Sequence, residues 1–426
     1  VEIPNSVTNI DASAFKGCIG LRNFEIPNSV TNIGNSAFSD CSNLASIKIP
    51  GFVTSIGSYA FNGCSSLTRV EIGKSVTNIG NGAFNGCTSL KDLRIEDGTP
   101  ILNLGYNSYD SYGISKGLFG DCPLETLYLG RNLSYNVNYA YSPFYNNKTL
   151  TSVTIGDNVL TISDYTFCGC TGITSVEIPN CVNSIGDNAF KNCNSLNEVH
   201  IKDLTAWCCI DFGNYSANPL SYRDNLYLNG KKITNLVIPE GVTEIKNLAF
   251  YGCSGLTSVQ FSNSVESIGD ETFSDCSGLN DITIPDGIRT IGTSAFKGCS
   301  NAETLYISNT IESIGENAFA ECNNLYEIKI GSKKAITANE NIFSSDAYNN
   351  ACLFVPMGRK DFYAKTSPWS NFIIQEMDFT GINEVFDELK GEDGKVKGLC
   401  YDLNGRVVEN PTSGIYIING KKVIIR

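Results

Sequence analysis

The chain has 426 residues and a formal net charge of −13, with 42% hydrophobic and 10% aromatic residues. This composition is typical of a folded protein and excludes intrinsic disorder along most of the chain. The acidic balance argues against nucleic acid as a partner, because such binding needs clustered Lys and Arg. No run of 18 apolar residues is present, so the sequence predicts no membrane-spanning helix.

The first elements of the chain are copies of one 23-residue repeat. Phe15, Phe38, Phe61 and Phe84 lie 23 residues apart, and a cysteine follows each of them by three residues. The full unit reads L-x-x-V-x-I-P-x-x-V-x-x-I-G-x-x-A-F-x-x-C. A fixed period of this length is the signature of a solenoid. Each unit is too small to bury its own apolar face, so successive units must stack with equivalent residues above one another.

Each repeat predicts two extended segments and one tight turn. The Val-x-Ile alternation indicates a strand, and the Pro that follows it ends the strand. A second short extended piece, as in Val30–Ile33, ends at Gly34, and "NSAF" then predicts one helical or 3-10 turn. We expect the strands of successive coils to pair in parallel in one long sheet. The full strands are predicted to begin at Leu21, Leu44, Leu67, Leu90, Leu124, Leu150, Ile173, Leu196, Ile233, Leu256, Leu279, Ala302 and Leu325.

The beginning of the chain repeats a later segment. "VEIPNSVTNI" matches "FEIPNSVTNI" from Phe24 onward, so we expect the chain to begin inside a coil, with any export signal or anchor outside the sequence.

Cysteines recur at one position of the repeat, which favours free thiols over disulfides. Stacked coils hold equivalent residues about 4.8 Å apart with parallel side chains, whereas a disulfide needs converging Cβ atoms about 3.8 Å apart. A buried free Cys packs as a small apolar residue. Ten of the 17 cysteines share this position: Cys18, Cys41, Cys64, Cys87, Cys170, Cys193, Cys253, Cys276, Cys299 and Cys322.

Two insertions interrupt the period. The gap between Phe84 and Phe119 is 35 residues, and the segment from Gly105 to Tyr145 is rich in tyrosine. A longer insertion lies between Phe190 and Phe250, where Asn229-Gly230 predicts a hairpin turn.

The repeat fails after Phe343. A solenoid needs a cap over its last apolar face, and Trp369 and Phe372 are suited to form one. We therefore predict a solenoid over residues 1–378, with its cap from about residue 344. Residues 379–426 are predicted to form a small separate β domain of two hairpins, because Asn404-Gly405 and Asn419-Gly420 each lie between alternating apolar runs.

These motifs resemble a known family. The unit "CSNLASIKIPGFVTSIGSYAF" resembles the BspA-type leucine-rich repeat of bacterial surface proteins, and the likeness covers roughly residues 1–378. The insertion "LYLNGKKITNLVIP" and the closing "FVPMGRKDFYAKTSPWSNF" also resemble that family. The tail "YDLNGRVVENPTSGIYIINGKK" is similar to C-terminal modules of exported proteins, some of which are sorting signals. The resemblance implies a secreted or cell-surface location and, for some members, adhesion to host proteins.

The sequence offers little for catalysis. An enzyme needs a base, a nucleophile or a metal held within reach, and His200 is the only histidine. No zinc-protease helix motif, phosphate loop or nucleophile elbow occurs. The adjacent Cys208 and Cys209 are too close for an ordinary zinc pair, and their redox state stays open. We predict a protein that is not an enzyme and has no cofactor.

The outward residues of the predicted strands alternate in charge near the start of the chain: Glu25, Lys48, Glu71 and Arg94. Opposite charges on neighbouring strands attract, so this row could simply fix the strand register. A ligand site on the same row is the alternative.

The tyrosine-rich segment is the main binding candidate. Tyr with Asn, Ser and Gly is the composition of adaptable recognition loops, although these tyrosines could instead only cover a lengthened coil. Asp110 and Asp121 could hold calcium, but no EF-hand pattern appears. The candidate binding residues are Tyr106, Tyr109, Tyr112, Tyr128, Tyr135, Tyr139 and Tyr141.

We expect a macromolecular partner, a protein before a glycan. A glycan-binding surface module and a structural spacer that binds nothing are the alternatives.

Overall fold

The computed structural model of the chain describes residues 2–107, 116–137, 141–222, 225–379, 400–401, 414–418 and 421–425. Over residues 2–379 the chain is a parallel β-solenoid in which each coil contributes strands to two ladders. The predicted repeat solenoid is therefore confirmed.

The long ladder is built from the Val-x-Ile segments. It is divided into four hydrogen-bonded groups, so the prediction of one uninterrupted sheet was wrong. Its strands are Ser46–Ile49, Arg69–Ile72, Asp92–Ile95, Thr126–Leu129 and Ser152–Ile155; then Ser175–Glu177, Glu198–Ile201, Leu226–Leu228 and Lys231–Lys232; then Asn235–Val237 and Ser258–Gln260; then Asp281–Ile284, Thr304–Ile307, Glu327–Ile330, Cys352–Pro356 and Ile373–Met377.

The short ladder is built from the second extended piece of each repeat. Its strands are Asn9–Ile10, Asn32–Ile33, Ser55–Ile56, Asn78–Ile79, Leu102–Leu104 and Leu133–Ser134; then Thr161–Ile162, Ser184–Ile185 and Asp211–Phe212; then Glu244–Ile245, Ser267–Ile268, Thr290–Ile291, Ser313–Ile314 and Thr337–Ala338. A strand predicted from Leu21 is reduced to a single bridge between Asn23 and Ser46.

The Ala-Phe turn of each coil bonds both within its coil and to the next one. Around Phe38, Ala37 and Cys41 donate to carbonyls three residues back, as in the predicted 3-10 turn. Ser36 and Asp40, however, have φ values of 55° and 61°, so the turn cannot continue as a helix. The amide of Phe38 instead donates to Ala60 of the next coil, at 2.7 Å.

The core contains a column of stacked phenylalanine rings, called the phenylalanine file here. The predicted alignment of these residues is therefore confirmed. Ring centroids of neighbours in the file lie 5.2–5.9 Å apart with near-parallel planes. The file runs from Phe15 to Phe190 and resumes from Phe250 to Phe343. Offset aromatic stacking adds stability beyond the apolar area that it buries.

The cysteine position forms a second file, and its thiols are free. Cys64 donates through Sγ to the carbonyl of Phe38, 3.2 Å away in the preceding coil, and most other members repeat this bond. Cys122, which the sequence analysis left out of the file, makes the same contact with Phe84 at 3.7 Å. Burial raises the pKa of Cys64, Cys87, Cys170 and Cys193, so these four thiols stay protonated.

The insertion after Phe190 fills the gap in the phenylalanine file. It contains the helix Leu204–Cys208 and the 3-10 helix Pro219–Tyr222. The indole of Trp207 is buried there and donates to the carbonyl of Ala249 at 2.8 Å. The predicted hairpin at Asn229-Gly230 is confirmed, because both residues have positive φ and Tyr227 pairs antiparallel with Lys232.

Residues 340–372 pack against the last coil, where the sequence predicts a cap. The 3-10 helices Glu340–Ile342 and Trp369–Asn371 and the helices Ser345–Asn350 and Lys360–Tyr363 belong to it. Trp369 and Phe372 are buried against Phe343, with ring centroids 6.1 and 5.3 Å away. The Trp369 indole donates to the carbonyl of Ile336, a group that faces no further coil.

The described part of the C-terminal segment contains three antiparallel strands, Cys400–Tyr401, Gly414–Ile418 and Lys421–Ile425. Ile418 pairs with Lys421, as the second predicted hairpin requires. Both Asn-Gly turns of this segment lie outside the described residues, and a separate domain at residues 379–426 stays a prediction.

Candidate binding surface

The outward side of the long ladder, here called the strand face, is a flat array of side chains held in register. Parallel pairing places Lys48, Glu71, Arg94, Tyr128 and Thr154 side by side. Adjacent strands are about 4.8 Å apart, so each side chain lies within reach of its neighbours. Lys48, Glu71 and Arg94 of the predicted row therefore lie on one surface, which continues to Tyr128 and Thr154.

The start of the strand face is internally neutralised. Glu71 accepts from Arg69 at 2.7 Å and pairs with Lys48 at 3.4 Å, and Arg69 also reaches Asp92 at 3.2 Å. Partial burial opposes ionisation of Glu71, but its bonds to Arg69 and Lys48 outweigh this and hold its pKa below the usual value. Exposed ion pairs contribute less than about 1 kcal/mol each. Their main effect is to fix the register and orientation of the side chains.

Tyr128 is held by its neighbours on both sides. The Arg94 guanidinium lies 3.9 Å from its ring centroid, and its hydroxyl donates to the Asp97 carboxylate at 2.8 Å. Partial burial, and then Asp97, raise the pKa of this phenol. The Tyr128 side chain is half-buried, and its hydroxyl is already engaged in the hydrogen bond to Asp97.

His200 lies at the centre of the strand face. Its ring stacks on Tyr227 at 4.7 Å, and Nε2 lies 3.0 Å from Glu198. Tyr227 belongs to the insertion hairpin, and the sequence analysis did not single it out. The alternation Leu226-Tyr227-Leu228 before Asn229-Gly230 could have revealed it.

The structure brings the two ends of the tyrosine-rich segment together. The rings of Tyr106 and Tyr141 meet edge to face, with centroids 5.1 Å apart, and both side chains are half-buried. Residues Tyr106–Asn107 pair antiparallel with Lys116–Gly117. Tyr109, Tyr112 and Tyr139 lie outside the described residues.

Tyr135 is bonded within the protein. Its hydroxyl donates to the carbonyl of Asp164 at 2.8 Å and lies 2.7 Å from the Thr166 hydroxyl. Burial raises the pKa of this phenol. The hydroxyls of Tyr128 and Tyr135 therefore form hydrogen bonds within the protein. Tyr106 and Tyr141 contact each other through their rings, where the two ends of the segment meet.

An arginine that the sequence analysis missed supports the lengthened coil. Arg131 is fully buried, and its guanidinium donates to the carbonyls of Gly73, Lys74 and Val76 at 2.6–2.9 Å. Burial lowers the pKa of this guanidinium. No local sequence pattern distinguishes such an arginine from a surface one.

The candidate calcium residue Asp121 has other partners. It accepts from Lys116 at 2.8 Å and from Asn107 at 3.2 Å, while Asp110 lies outside the described residues. Among the described residues, no group of three or more His, Cys, Asp or Glu is placed to hold a metal ion. Cys208 is buried and Cys209 is exposed, and both thiols are free.

The short ladder is lined by a shallow groove of about 420 Å³ that contains Ser267, Thr290, Ser313 and Asp270. In the described part of the chain, no helix has the length and apolar character needed to cross a membrane.

Stacked parallel coils with a leucine-rich consensus define this protein as a leucine-rich repeat solenoid, a fold that usually serves as a binding scaffold. The chain belongs to the BspA-type leucine-rich repeat family, whose repeat profile matches residues 1–112, 101–206 and 221–349.

Several solved bacterial structures are similar to it. A leucine-rich repeat protein from Bacteroides ovatus is 22% identical, over 76% of this chain and 92% of that one, with a TM-score of 0.39. A leucine rich cell surface protein from Faecalibacterium prausnitzii is 24% identical, over 77% and 90%, with a TM-score of 0.34. The pneumococcal vaccine antigen PcpA is 17% identical, over 89% and 93%, with a TM-score of 0.41. No curated protein matches the sequence.

Proposed function

We propose that this protein is a secreted or cell-surface bacterial scaffold that binds a macromolecule, a protein in preference to a glycan, and performs no chemistry. The observation that carries the proposal is the strand face itself: side chains of successive coils held in register by hydrogen bonds and ion pairs. Such a surface is already ordered, so little side-chain freedom is lost when a partner docks.

The mixture of charges supports a protein partner. Lys48, Glu71, Arg69 and Asp92 alternate in sign across neighbouring strands, and complementary charge patterns confer specificity and speed in protein association. Membership in the BspA-type leucine-rich repeat family supports the proposed surface location.

The tyrosine-rich segment is the proposed centre of the contact. Tyr106 and Tyr141 pair edge to face beside Asn81 and Gly82, in the turn that follows the short ladder, and the proposal extends to Tyr109, Tyr112, Tyr128, Tyr135 and Tyr139. Tyrosine supplies rigid contact area at low entropic cost, and interface hot spots are enriched in it.

A paired screen tests this proposal. The purified chain is assayed against immobilised extracellular-matrix proteins and against a glycan array, and every hit is repeated with Tyr106→Ala/Tyr141→Ala. We expect a protein hit that this variant weakens at least about tenfold, since two hot-spot side chains are removed. The matched control is Tyr59→Ala, which removes an exposed tyrosine of an ordinary turn. Hits on glycans alone, or no hit at all, would contradict the proposal.

A further inference from the structure

The last strands of the long ladder carry an exposed aromatic and aliphatic patch. Tyr326 and Ile373 are 53% and 68% exposed. Parallel register places Tyr306, Lys329 and Phe354 in one row and Glu327, Cys352 and Ile373 in the next. Tyr306, Tyr326, Phe354 and Ile373 are called the C-terminal patch here. Large apolar side chains grouped on one surface are typical of interaction sites.

Two carboxylates border this patch without a cation beside them. The amide of Tyr326 donates to the carbonyl of Glu303 at 3.1 Å, so Glu303 lies one coil before Tyr326. Asp281 pairs in register with Thr304, whose hydroxyl donates to it at 2.5 Å. In the described ranges, neither carboxylate has a Lys, Arg or His nitrogen within 4.0 Å.

Two other carboxylates near the patch have bonding partners within the chain. Glu327 is bonded to the buried Lys329, and Glu376 accepts from the backbone amide of Lys360 at 2.9 Å. At the start of the strand face, by contrast, Glu71, Asp92 and Glu125 each pair with a Lys or Arg. Glu303 and Asp281 therefore place negative charge without a cation partner beside the exposed ring of Tyr326.

The phenol of Tyr326 responds to this charge. Partial burial, and then the carboxylates of Glu303, Glu327 and Asp281, raise its pKa. The potential at the patch is therefore negative, which favours a cation near the ring.

We propose that the C-terminal patch, together with Asp281 and Glu303, binds an extended segment of a partner protein in which Lys or Arg and apolar residues follow one another at every second position, so that both kinds lie on the face that docks. Carboxylates bond to such cations, and an aromatic face attracts them by about 0.5–1 kcal/mol or more. The apolar residues of the segment would cover Ile373 and Phe354. An anionic polymer is repelled by the same charges. This inference rests on the proposed role of the strand face as a binding surface.

The test uses a fluorescein-labelled peptide of three Lys-Thr-Leu-Thr copies, in which Lys and Leu share one face of the extended chain, with a matched peptide in which Glu replaces each Lys, and fluorescence anisotropy at physiological salt. The full chain should bind the basic peptide and not the acidic one. Tyr326→Ala should weaken binding about fivefold and Asp281→Asn/Glu303→Gln about tenfold, from the loss of one ring and two charges. All these side chains are accessible, so the thermal midpoint should not change.

The control double variant Glu240→Gln/Asp286→Asn removes the same charge from two exposed turn residues that follow long-ladder strands. It should leave peptide binding within twofold of the unchanged chain. Equal weakening by both double variants would overturn the proposal, because the peptide would then be sensing only net charge. Absence of binding, or binding unaffected by Tyr326→Ala, would also overturn it. The matrix-protein screen with the Tyr106 and Tyr141 variant is independent of this peptide, so the two proposals can fail separately.

Discussion

Replacing Phe61 by alanine should destabilise the solenoid more than any change on its surface. Phe61 is fully buried between Phe38 and Phe84, with centroids 5.3 and 5.5 Å away and ring planes within 9° of parallel. Truncation of a buried Phe leaves a cavity and costs about 3–5 kcal/mol, and it also removes two stacking contacts. We therefore expect a loss near the upper end of that range.

The assay for this variant is equilibrium unfolding in urea, combined with hydrogen exchange. Because coils contact only their neighbours, amides of the coils around Phe38 and Phe84 should lose protection before those near Phe296. Phe52→Ala is the matched control, since Phe52 is 66% exposed and its loss should cost less than about 0.5 kcal/mol. Equal destabilisation by Phe61→Ala and Phe52→Ala would refute the stacked core.

The remaining predictions concern the thiols and one buried charge. In the native protein at pH 8, a colorimetric thiol reagent should react with the exposed Cys209. Most of the ten cysteines of the predicted file should stay unreacted until denaturant is added. Immediate reaction of these cysteines would contradict their burial. Burial raises the folded-state pKa of Cys64, Cys87 and Cys193 above the ordinary value of 9.0. The stability that they contribute should therefore be complete below pH 9 and fall as the pH rises above it, because the unfolded chain then ionises first. Urea unfolding between pH 8 and 10 measures this, and Cys64→Ser/Cys87→Ser should reduce the slope. Arg131→Met should lower the free energy of unfolding by about 3–5 kcal/mol, because three buried carbonyls lose their donor. The control Arg22→Met, at an exposed arginine, should lower it by less than about 0.5 kcal/mol. Similar unfolding midpoints for the two variants would count against the role of Arg131.

The periodic part of the fold could be predicted from the sequence because a solenoid repeats one set of local contacts. The 23-residue spacing of Phe15, Phe38 and Phe61 predicted that their rings stack in one column in the core. The Trp369 and Phe372 cap followed from the need to cover the last coil. Asn229-Gly230 predicted its hairpin because two residues with positive φ are needed there.

Features that depend on contacts between distant coils could not be predicted in this way. Arg131 bonds to carbonyls more than fifty positions away, which no repeat position encodes. Only one division of the described long ladder, at the hairpin with Tyr227, coincides with an insertion. The other two lie between strands that keep the 23-residue spacing, so the repeat pattern does not reveal where pairing stops. The bonded hydroxyls of Tyr128 and Tyr135 were equally hidden, since composition alone does not distinguish a supporting tyrosine from an available one.

Spin-label distances along the strand face test the central claim, that equivalent residues lie one above another in successive coils. Labels are attached through unnatural amino acids at Glu25 and Thr154 in one sample and at Lys48 and Thr154 in another. The register places these pairs five and four strands apart, which corresponds to about 24 and about 19 Å between backbones. Pulsed electron spin resonance should give two narrow distributions whose means differ by about one strand spacing. Equal means, or a shorter distance for the Glu25 pair, would contradict coil-by-coil stacking.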